Sequence, residues 1–168
     1  MLTDAIRLLL FPALMAFAAS SDLITMTISN RVSLVLIASF FALALFWHMP
    51  LIDIALHAGA ALTMLIAAFI CFARGWIGGG DAKLAAATAL WFGFDQLPNY
   101  LIVASLLGGI LTLAILRFRA VPLPRLLAGQ AWAERLHRMD TGIPYGIALA
   151  LAALAIYPET PWMTSLGM

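Results

Sequence analysis

Two aspartates and a run of three glycines are the residues of this sequence best suited to chemistry. Residues 78–83 read Gly-Gly-Gly-Asp-Ala-Lys, so that Asp81 interrupts an otherwise almost continuously apolar chain, and Asp22 closes its first apolar stretch. Two carboxylates held close together cannot both ionise cheaply, so one keeps a proton while the other acts as a base. Such a pair can activate a water for attack on a peptide carbonyl, which is the chemistry of aspartic proteases.

The composition indicates a membrane protein. Of the 168 residues, 64% are hydrophobic and 10% are charged, against roughly 45–50% and 25% in soluble domains. An ionisable group at membrane depth costs about 2.5 kcal/mol or more, so Asp81 beside three glycines is a functional-site hypothesis. The single cysteine, Cys71, excludes an internal disulfide, and the sequence shows no cluster of metal ligands. We therefore expect no metal, no cofactor and no nucleic-acid partner.

Apolar runs near the length that spans a bilayer predict six transmembrane helices. They cover residues 5–21, 32–48, 52–73, 82–94, 99–117 and 143–157. Pro50 and Pro98 mark tight turns after the second and fourth of these helices. The predicted fold is all-α and polytopic, with residues 1–168 forming one membrane-embedded domain.

The basic residues orient this predicted bundle. Most of them follow the first, third and fifth helices: Arg31, Arg74, Lys83, Arg117, Arg119, Arg125, Arg135 and Arg138. By the positive-inside rule these loops are cytoplasmic, so both termini face outward and Asp22 and Asp81 meet at the cytoplasmic face. The long loop over residues 118–140 mixes basic and apolar residues, which is typical of an interfacial amphipathic helix on the membrane surface. A substrate-docking surface is the alternative for this loop.

The fourth predicted helix is short for a membrane span. Residues 81–94 would rise only about 21 Å at 1.5 Å per residue, against a hydrocarbon core of about 30 Å. Irregular backbone at membrane depth is tolerated only against protein or a wet cavity. We therefore expect Asp81 in a cavity just below the cytoplasmic surface.

Structural interpretations of the same residues remain open at this point. Asp81 is suited to be the N-cap of the fourth helix, and Asp22 to cap a helix or to pair with Arg31. The Lys83 side chain is suited to snorkel to lipid headgroups rather than to touch a substrate. An alternative function from another class is a non-catalytic proton or ion conduit, or an assembly subunit, in which the two carboxylates relay charge.

Three segments of the chain resemble the type IV prepilin peptidase family. Residues 78–83 resemble its GlyXxxGlyAsp signature, with a lysine two residues after the aspartate. In the family the first catalytic aspartate precedes an Ile-Pro-Asn segment; here Asp22 precedes Ile-Ser-Asn at residues 28–30, with serine in place of proline. Residues 144–146, Pro-Tyr-Gly, resemble the start of the last helix in short members. The resemblance covers essentially the whole chain.

The resemblance implies a function and a set of site residues. Asp22 and Asp81 would be the catalytic pair of an aspartic peptidase in the bacterial inner membrane. Its substrates would be prepilins and pseudopilins, whose leader is cut at the cytoplasmic face, typically just after a glycine. The compact form most resembles the peptidases of Tad-type systems, which process Flp-type pilins. The candidate substrate-binding residues are Gly78, Gly80, Lys83 and Asn30.

Two further points follow from the resemblance. Long members of the family also N-methylate the new terminus and carry a cytosolic insert with paired cysteines. This chain lacks that insert and has only Cys71, so the resemblance does not extend to methylation.

Presenilin-like intramembrane proteases share the Gly-x-Gly-Asp element and form a related alternative. The sequence does not indicate an oligomeric state.

Overall fold

Every regular element in the described part of the chain is a helix. The computed structural model describes residues 2–164, without the side chains of residues 2–5 and 7. The elements are α1 (Leu2–Thr25), α2 (Asn30–Phe46), α3 (Leu51–Ala73), α4 (Gly79–Arg119), α5 (Ala131–His137), α6 (Tyr145–Ile156), a 3-10 turn (Tyr157–Glu159) and α7 (Pro161–Thr164). The all-α prediction is confirmed, while the predicted single domain over 1–168 includes residues 1 and 165–168, which lie outside the described residues.

The longest helix, α4, folds back on itself. A straight helix of its 41 residues would separate its ends by about 60 Å. Yet Asp81 near its start and Arg119 at its end line the same cavity. The reversal lies at Gly93, whose φ of 62° and ψ of −173° are not helical. Residues 79–92 and 94–119 therefore form a first and a second limb, which correspond to the predicted fourth and fifth helices. The turn between them was predicted at Pro98, and that position was wrong.

The reversal in α4 is supported by a histidine of α3. The last turn of a helix leaves carbonyl groups without an intrahelical partner, and His57 Nδ1 lies 2.7 Å from the carbonyl oxygen of Leu90. The His57 ring also packs against Gly93, where an added Cβ would lie 3.1 Å from its Cε1 atom. Gly93 is therefore required both for its backbone angles and for this close approach.

Gly93→Ala is expected to destabilise the protein by about 1–3 kcal/mol, because its backbone region is almost closed to residues with a Cβ. The measurement is thermal unfolding of the detergent-solubilised protein. Gly109→Ala is the matched control, since an added Cβ there meets nothing within 4 Å. Equal melting of the Gly93→Ala variant and the wild type would contradict the role given to this glycine.

The first limb of α4 is the centre of the fold. Residues 84–93 are all buried, because α2, α3 and α6 pack around α4, and α6 also packs against α1. At the end far from Asp81, the Trp91 indole donates a hydrogen bond of 3.0 Å to the carbonyl of Leu36, and the Trp162 indole donates one of 2.9 Å to the carbonyl of Trp91. These contacts fix the limb that carries Asp81.

Several helices have the character of membrane spans. Three are long and apolar enough to cross a membrane by length and composition: Leu8–Thr25, Leu51–Ala73 and Gly79–Arg119. Two shorter apolar helices cover Asn30–Phe46 and Tyr145–Glu159. The chain is thus a membrane protein, and the count of six spans and their orientation stay predictions.

The connection between α4 and α6 packs on the bundle. Its helix α5 has only seven residues, and the side chains of Ala133 and Leu136 are buried. The Arg135 guanidinium donates a hydrogen bond to the carbonyl of Ile24 at the end of α1. The loop that was predicted as an amphipathic surface segment therefore contacts the end of α1 through α5. Its position on the membrane surface stays a prediction.

Candidate active site

Asp22 is held by the start of α6. It lies in the last turn of α1, which continues to Thr25, so the predicted helix end at residue 21 was too early. Its side chain is 4% exposed and accepts a hydrogen bond of 2.8 Å from the Gly146 amide. Free amides at a helix start attract negative charge. The amide of Gly146, rather than Arg31, is therefore the partner that the structure shows for this carboxylate.

Asp81 is the third residue of α4 and lies at the wall of a cavity. The N-cap of α4 is Gly78, so the interpretation of Asp81 as the N-cap was wrong. The carboxylate instead reaches back to the backbone of Gly78, as acidic residues at the third helical position do. An added Cβ on Gly78 would lie 2.9 Å from Asp81 Oδ2. Both aspartates are thus held by a backbone group at the start of a helix.

The structure brings Asp22 and Asp81 together. The two carboxyl groups are near enough to interact electrostatically, and Ile28, in the connection between α1 and α2, packs against α4 and α6 beside them. An added Cβ on Gly80 would lie 3.2 Å from Ile28 Cβ, and one on Gly146 would lie 2.6 Å from Ile28 Cδ1. Ile28 therefore fills the space that two glycines leave open, one in α4 and one in α6.

A cavity of about 470 Å³ opens beside Asp81. Its walls come from the α3–α4 connection, both ends of α4, the α5–α6 connection and the first residue of α6: Gly75, Trp76, Ile77, Gly78, Asp81, Arg119, Thr141, Gly142, Ile143 and Tyr145. The volume is within the roughly 300–1,000 Å³ range of ligand pockets. One of the two carboxylates is thus accessible to a bound molecule, and the other is buried behind it.

Arg119 fixes the wall of this cavity. Its side chain is buried, and Nε donates a hydrogen bond of 2.7 Å to the carbonyl of Leu136. Nη2 donates to the carbonyl and the hydroxyl of Thr141 and, at 2.8 Å, to the carbonyl of Gly142. One guanidinium therefore holds both ends of the segment that leads into α6 and to Gly146. From the sequence, Arg119 was only one of the basic loop residues.

Arg119→Lys is expected to release this segment, because a lysine ammonium cannot reproduce the planar fork of donors. Losing one hydrogen bond of a charged group costs about 1.5–3 kcal/mol. The fraction of molecules in which this segment is released from Arg119 should therefore rise by roughly tenfold or more. The measurement is the rate of trypsin cleavage after Arg138 in solubilised protein. Arg117→Lys, at an exposed position of the same helix end, is the control. Equal cleavage rates for the two variants would contradict the role given to Arg119.

The comparison with protein families identifies the family of this chain. The model of the type IV leader peptidase family matches residues 9–113, which is more than half of the chain and includes Asp22 and Asp81. The chain belongs to the type IV leader peptidase family. The resemblance drawn from the sequence is thereby confirmed. Membership of this family implies a membrane hydrolase with prepilin-type substrates. A search of curated proteins and a search of solved structures each gave no match.

The other predicted site residues of this leader peptidase lie around the same helix end. Lys83 Nζ donates a hydrogen bond of 2.9 Å to Asn30 Oδ1, so the structure brings these two together. Gly78 lines the cavity, whereas the open side of Gly80 is filled by Ile28. Substrate contact by these four residues stays a prediction. The residues that sequence reasoning missed are Ile28, Arg119 and Gly146, although the motifs at residues 28–30 and 144–146 had been noted.

An exposed ion pair lies on the segment that Arg119 holds. Arg138 and Asp140 are joined by a salt bridge, and each side chain is 65% exposed. The hydrogen bond from Arg138 lowers the pKa of Asp140 below its ordinary value and raises the pKa of Arg138. The pair is therefore present at neutral pH and is lost only in acid, as Asp140 takes up a proton. Exposed pairs of this kind contribute little to stability.

No candidate metal centre lies among residues 2–164. No group of three or more His, Cys, Asp or Glu residues that could hold a metal ion occurs among the described residues. The cavity lining has one carboxylate, that of Asp81, together with the polar side chains of Arg119, Thr141 and Tyr145.

Proposed function

We propose that this leader peptidase is an aspartic endopeptidase with Asp22 and Asp81 as its catalytic pair. The observation that carries the proposal is the position of both carboxylates at one end of the bundle: Asp81 lines the cavity, and Asp22 is bonded to Gly146, next to the lining residue Tyr145. Family membership supports leader peptidase chemistry over a presenilin-like protease, with which only the Gly-x-Gly-Asp element is shared. It also favours catalysis over a passive proton conduit.

In the proposed reaction the two carboxyl groups share one proton. The ionised carboxylate removes a proton from a water molecule, and the protonated carboxyl donates its proton to the carbonyl oxygen of the scissile bond. Attack by the water gives a tetrahedral diol. Its collapse breaks the carbon–nitrogen bond as the amine takes up a proton, which leaves a leader with a new carboxyl end. The backbone groups of Gly78 and Gly146 keep the two carboxyl groups in position.

The proposed topology has six transmembrane helices, both termini outside, and the site at the cytoplasmic face of the bacterial inner membrane. The short limb of residues 79–92 and the short helix α6 count as spans in this topology. This topology is supported by the basic residues near the cavity. Arg119 lines the cavity, and Arg74 lies directly before the lining residue Gly75 in the chain. Basic loops remain on the cytoplasmic side.

The proposed substrates are Flp-type prepilins and pseudopilins, because the chain has the compact form without a cysteine-bearing insert. Methylation is not part of the proposal. The test is co-expression of a Flp-type prepilin with the protein in a host that lacks its own leader peptidase, read as a gel shift and as the mass of the product. We expect a product that begins just after the glycine of the leader junction. An uncleaved prepilin, together with a proton flux in vesicles that Asp81→Asn abolishes, would overturn the proposal in favour of a conduit.

A further inference from the structure

A small cavity lies at the end of the bundle far from the candidate dyad, Asp22 and Asp81. Its volume is about 210 Å³, and its walls come from the end of α2, the turn that follows, the start of α3 and α7. Two tryptophans, two prolines and one aspartate are among the residues that line it: Trp47, Trp162, Pro50, Pro161 and Asp53. We call it the tryptophan cavity. The proposed peptidase chemistry uses none of these residues.

The walls of the tryptophan cavity are held in place by the rest of the fold. The Met49 amide donates a hydrogen bond of 2.8 Å to the carbonyl of Ala44, which closes the turn between α2 and α3. Trp47 packs against the hydrophobic core. Trp162 is buried, and its indole is bonded to the carbonyl of Trp91. The cavity is therefore formed before a ligand binds, which lowers the entropic cost of binding.

Asp53 gives the tryptophan cavity a negative charge. It lies in the first turn of α3 and is partly buried. Among the residues that the structure describes, no side chain pairs with its carboxylate. The faces of tryptophan rings attract cations, and a carboxylate forms strong, charge-assisted hydrogen bonds with an ammonium group. The class of ligand that fits is therefore a small ammonium group.

The surface around the tryptophan cavity indicates a lipid as the source of that group. Leu45 and Phe46 in α2 and Leu51 and Ile52 in α3 lie next to lining residues along the chain, and they are between 63% and 82% exposed. In a membrane protein such side chains face the acyl chains of lipids, and tryptophans are enriched where the membrane meets water. An ammonium group in the cavity would thus leave its acyl chains against this apolar surface.

We propose that the tryptophan cavity binds the ammonium head group of a zwitterionic phospholipid. Asp53 is the counter-ion, and Trp47 and Trp162 are the aromatic walls. The volume of about 210 Å³ is below the roughly 300 Å³ at which pockets enclose whole drug-sized ligands, so the cavity takes the ammonium group and leaves the phosphate at its mouth. The site does not depend on the proposed peptidase function.

The test compares lipids that differ only in the head group. The full-length protein in detergent is mixed with phosphatidylethanolamine, phosphatidylcholine, phosphatidylglycerol or N-acetyl-phosphatidylethanolamine with the same acyl chains, and native mass spectrometry measures the lipid that stays bound. The first two lipids carry a cation and the last two do not. We expect the first two to be retained roughly tenfold more, since both the aromatic faces and the carboxylate act on the cation. Equal retention of all four would show apolar contact only and overturn the proposal.

Two further measurements identify the site and the source of the ammonium group. Asp53→Asn is expected to reduce retention of phosphatidylethanolamine by roughly two- to fivefold, the scale of a partly exposed ion pair, and to leave phosphatidylglycerol unchanged. Asp95→Asn, at an exposed position near the reversal of α4, is the matched control and should change neither. Equal retention by the wild type and Asp53→Asn would overturn the proposal. Displacement of the lipid by an equal concentration of phosphorylethanolamine would overturn it too, because the cavity would then be a site for soluble amines.

Discussion

Replacing either Asp22 or Asp81 by asparagine is expected to reduce leader cleavage by roughly 10²–10⁴-fold, the contribution of a positioned acid or base. The amide keeps the size of the side chain, and at Asp22 its oxygen still accepts the hydrogen bond from Gly146. It cannot exchange the proton that the reaction needs. Initial cleavage rates of a co-expressed Flp-type prepilin, at matched membrane levels of each variant, give the measurement.

The control for this experiment is Asp95→Asn, which changes an exposed carboxylate at the start of the second limb and is expected to cleave at the wild-type rate. The double variant adds a sharper criterion. Groups that act as one unit are strongly non-additive, so the double variant should be about as slow as each single variant. Cleavage that survives either single substitution would remove that aspartate from the chemistry, and multiplicative losses would show two independent roles.

The fold class and the partnership of the aspartates were predictable because both depend on a strong local signal. Runs of apolar residues give the helices, and carboxylates are so costly at membrane depth that Asp22 and Asp81 stand out in a chain with 10% charged residues. The basic loops then place both at one end of the bundle. The helix end at Asp22 was missed, because one extra helical turn costs little and leaves no mark in the sequence. The N-cap of α4 and the position of its reversal were missed as well, since they lie at Gly78 and Gly93 instead of Asp81 and Pro98.

The contacts that hold the dyad were not predictable, because they join segments far apart along the chain. Gly146 and Ile28 each belong to a motif noted in the sequence, but the motifs do not show that both residues pack against another segment at the site. Arg119 looked like a loop cation, although its guanidinium is bonded to Leu136, Thr141 and Gly142. Periodicity and charge report the environment of one helix at a time, whereas these roles are defined by which helix lies opposite.

The roles of the glycines also depend on which segment lies opposite each of them. The sequence suggested that glycines beside Asp81 admit the substrate, whereas the structure shows the open side of Gly80 filled by Ile28. Gly93, with no motif around it, proves necessary for the reversal of α4. A glycine without a Cβ can serve a tight backbone angle, an internal contact or a ligand, and only the neighbour across the gap distinguishes these uses.

Gly146→Ala is expected to lower the cleavage rate by roughly 10²-fold, the effect of a displacement of about 1 Å at a catalytic group. The added methyl would lie 2.7 Å from Asp22 Oδ2 and 2.6 Å from Ile28 Cδ1, so either the carboxylate or the isoleucine must move. Ile28 also packs against Gly80, beside Asp81, and a shift of Ile28 therefore reaches the second carboxylate. Cleavage of the Flp-type prepilin measures the rate, and thermal unfolding of the same preparation measures stability.

The two readouts separate positioning from folding. Alanine is a better helix former than glycine, so the substitution at the start of α6 should leave the melting temperature close to that of the wild type while activity falls. Gly109→Ala, which also lies in a helix but meets no neighbour within 4 Å, should change neither quantity. If Gly146→Ala lost stability and activity in parallel, the glycine would serve packing alone. If it kept full activity, the close approach of Gly146 to Asp22 and Ile28 would not be required for catalysis.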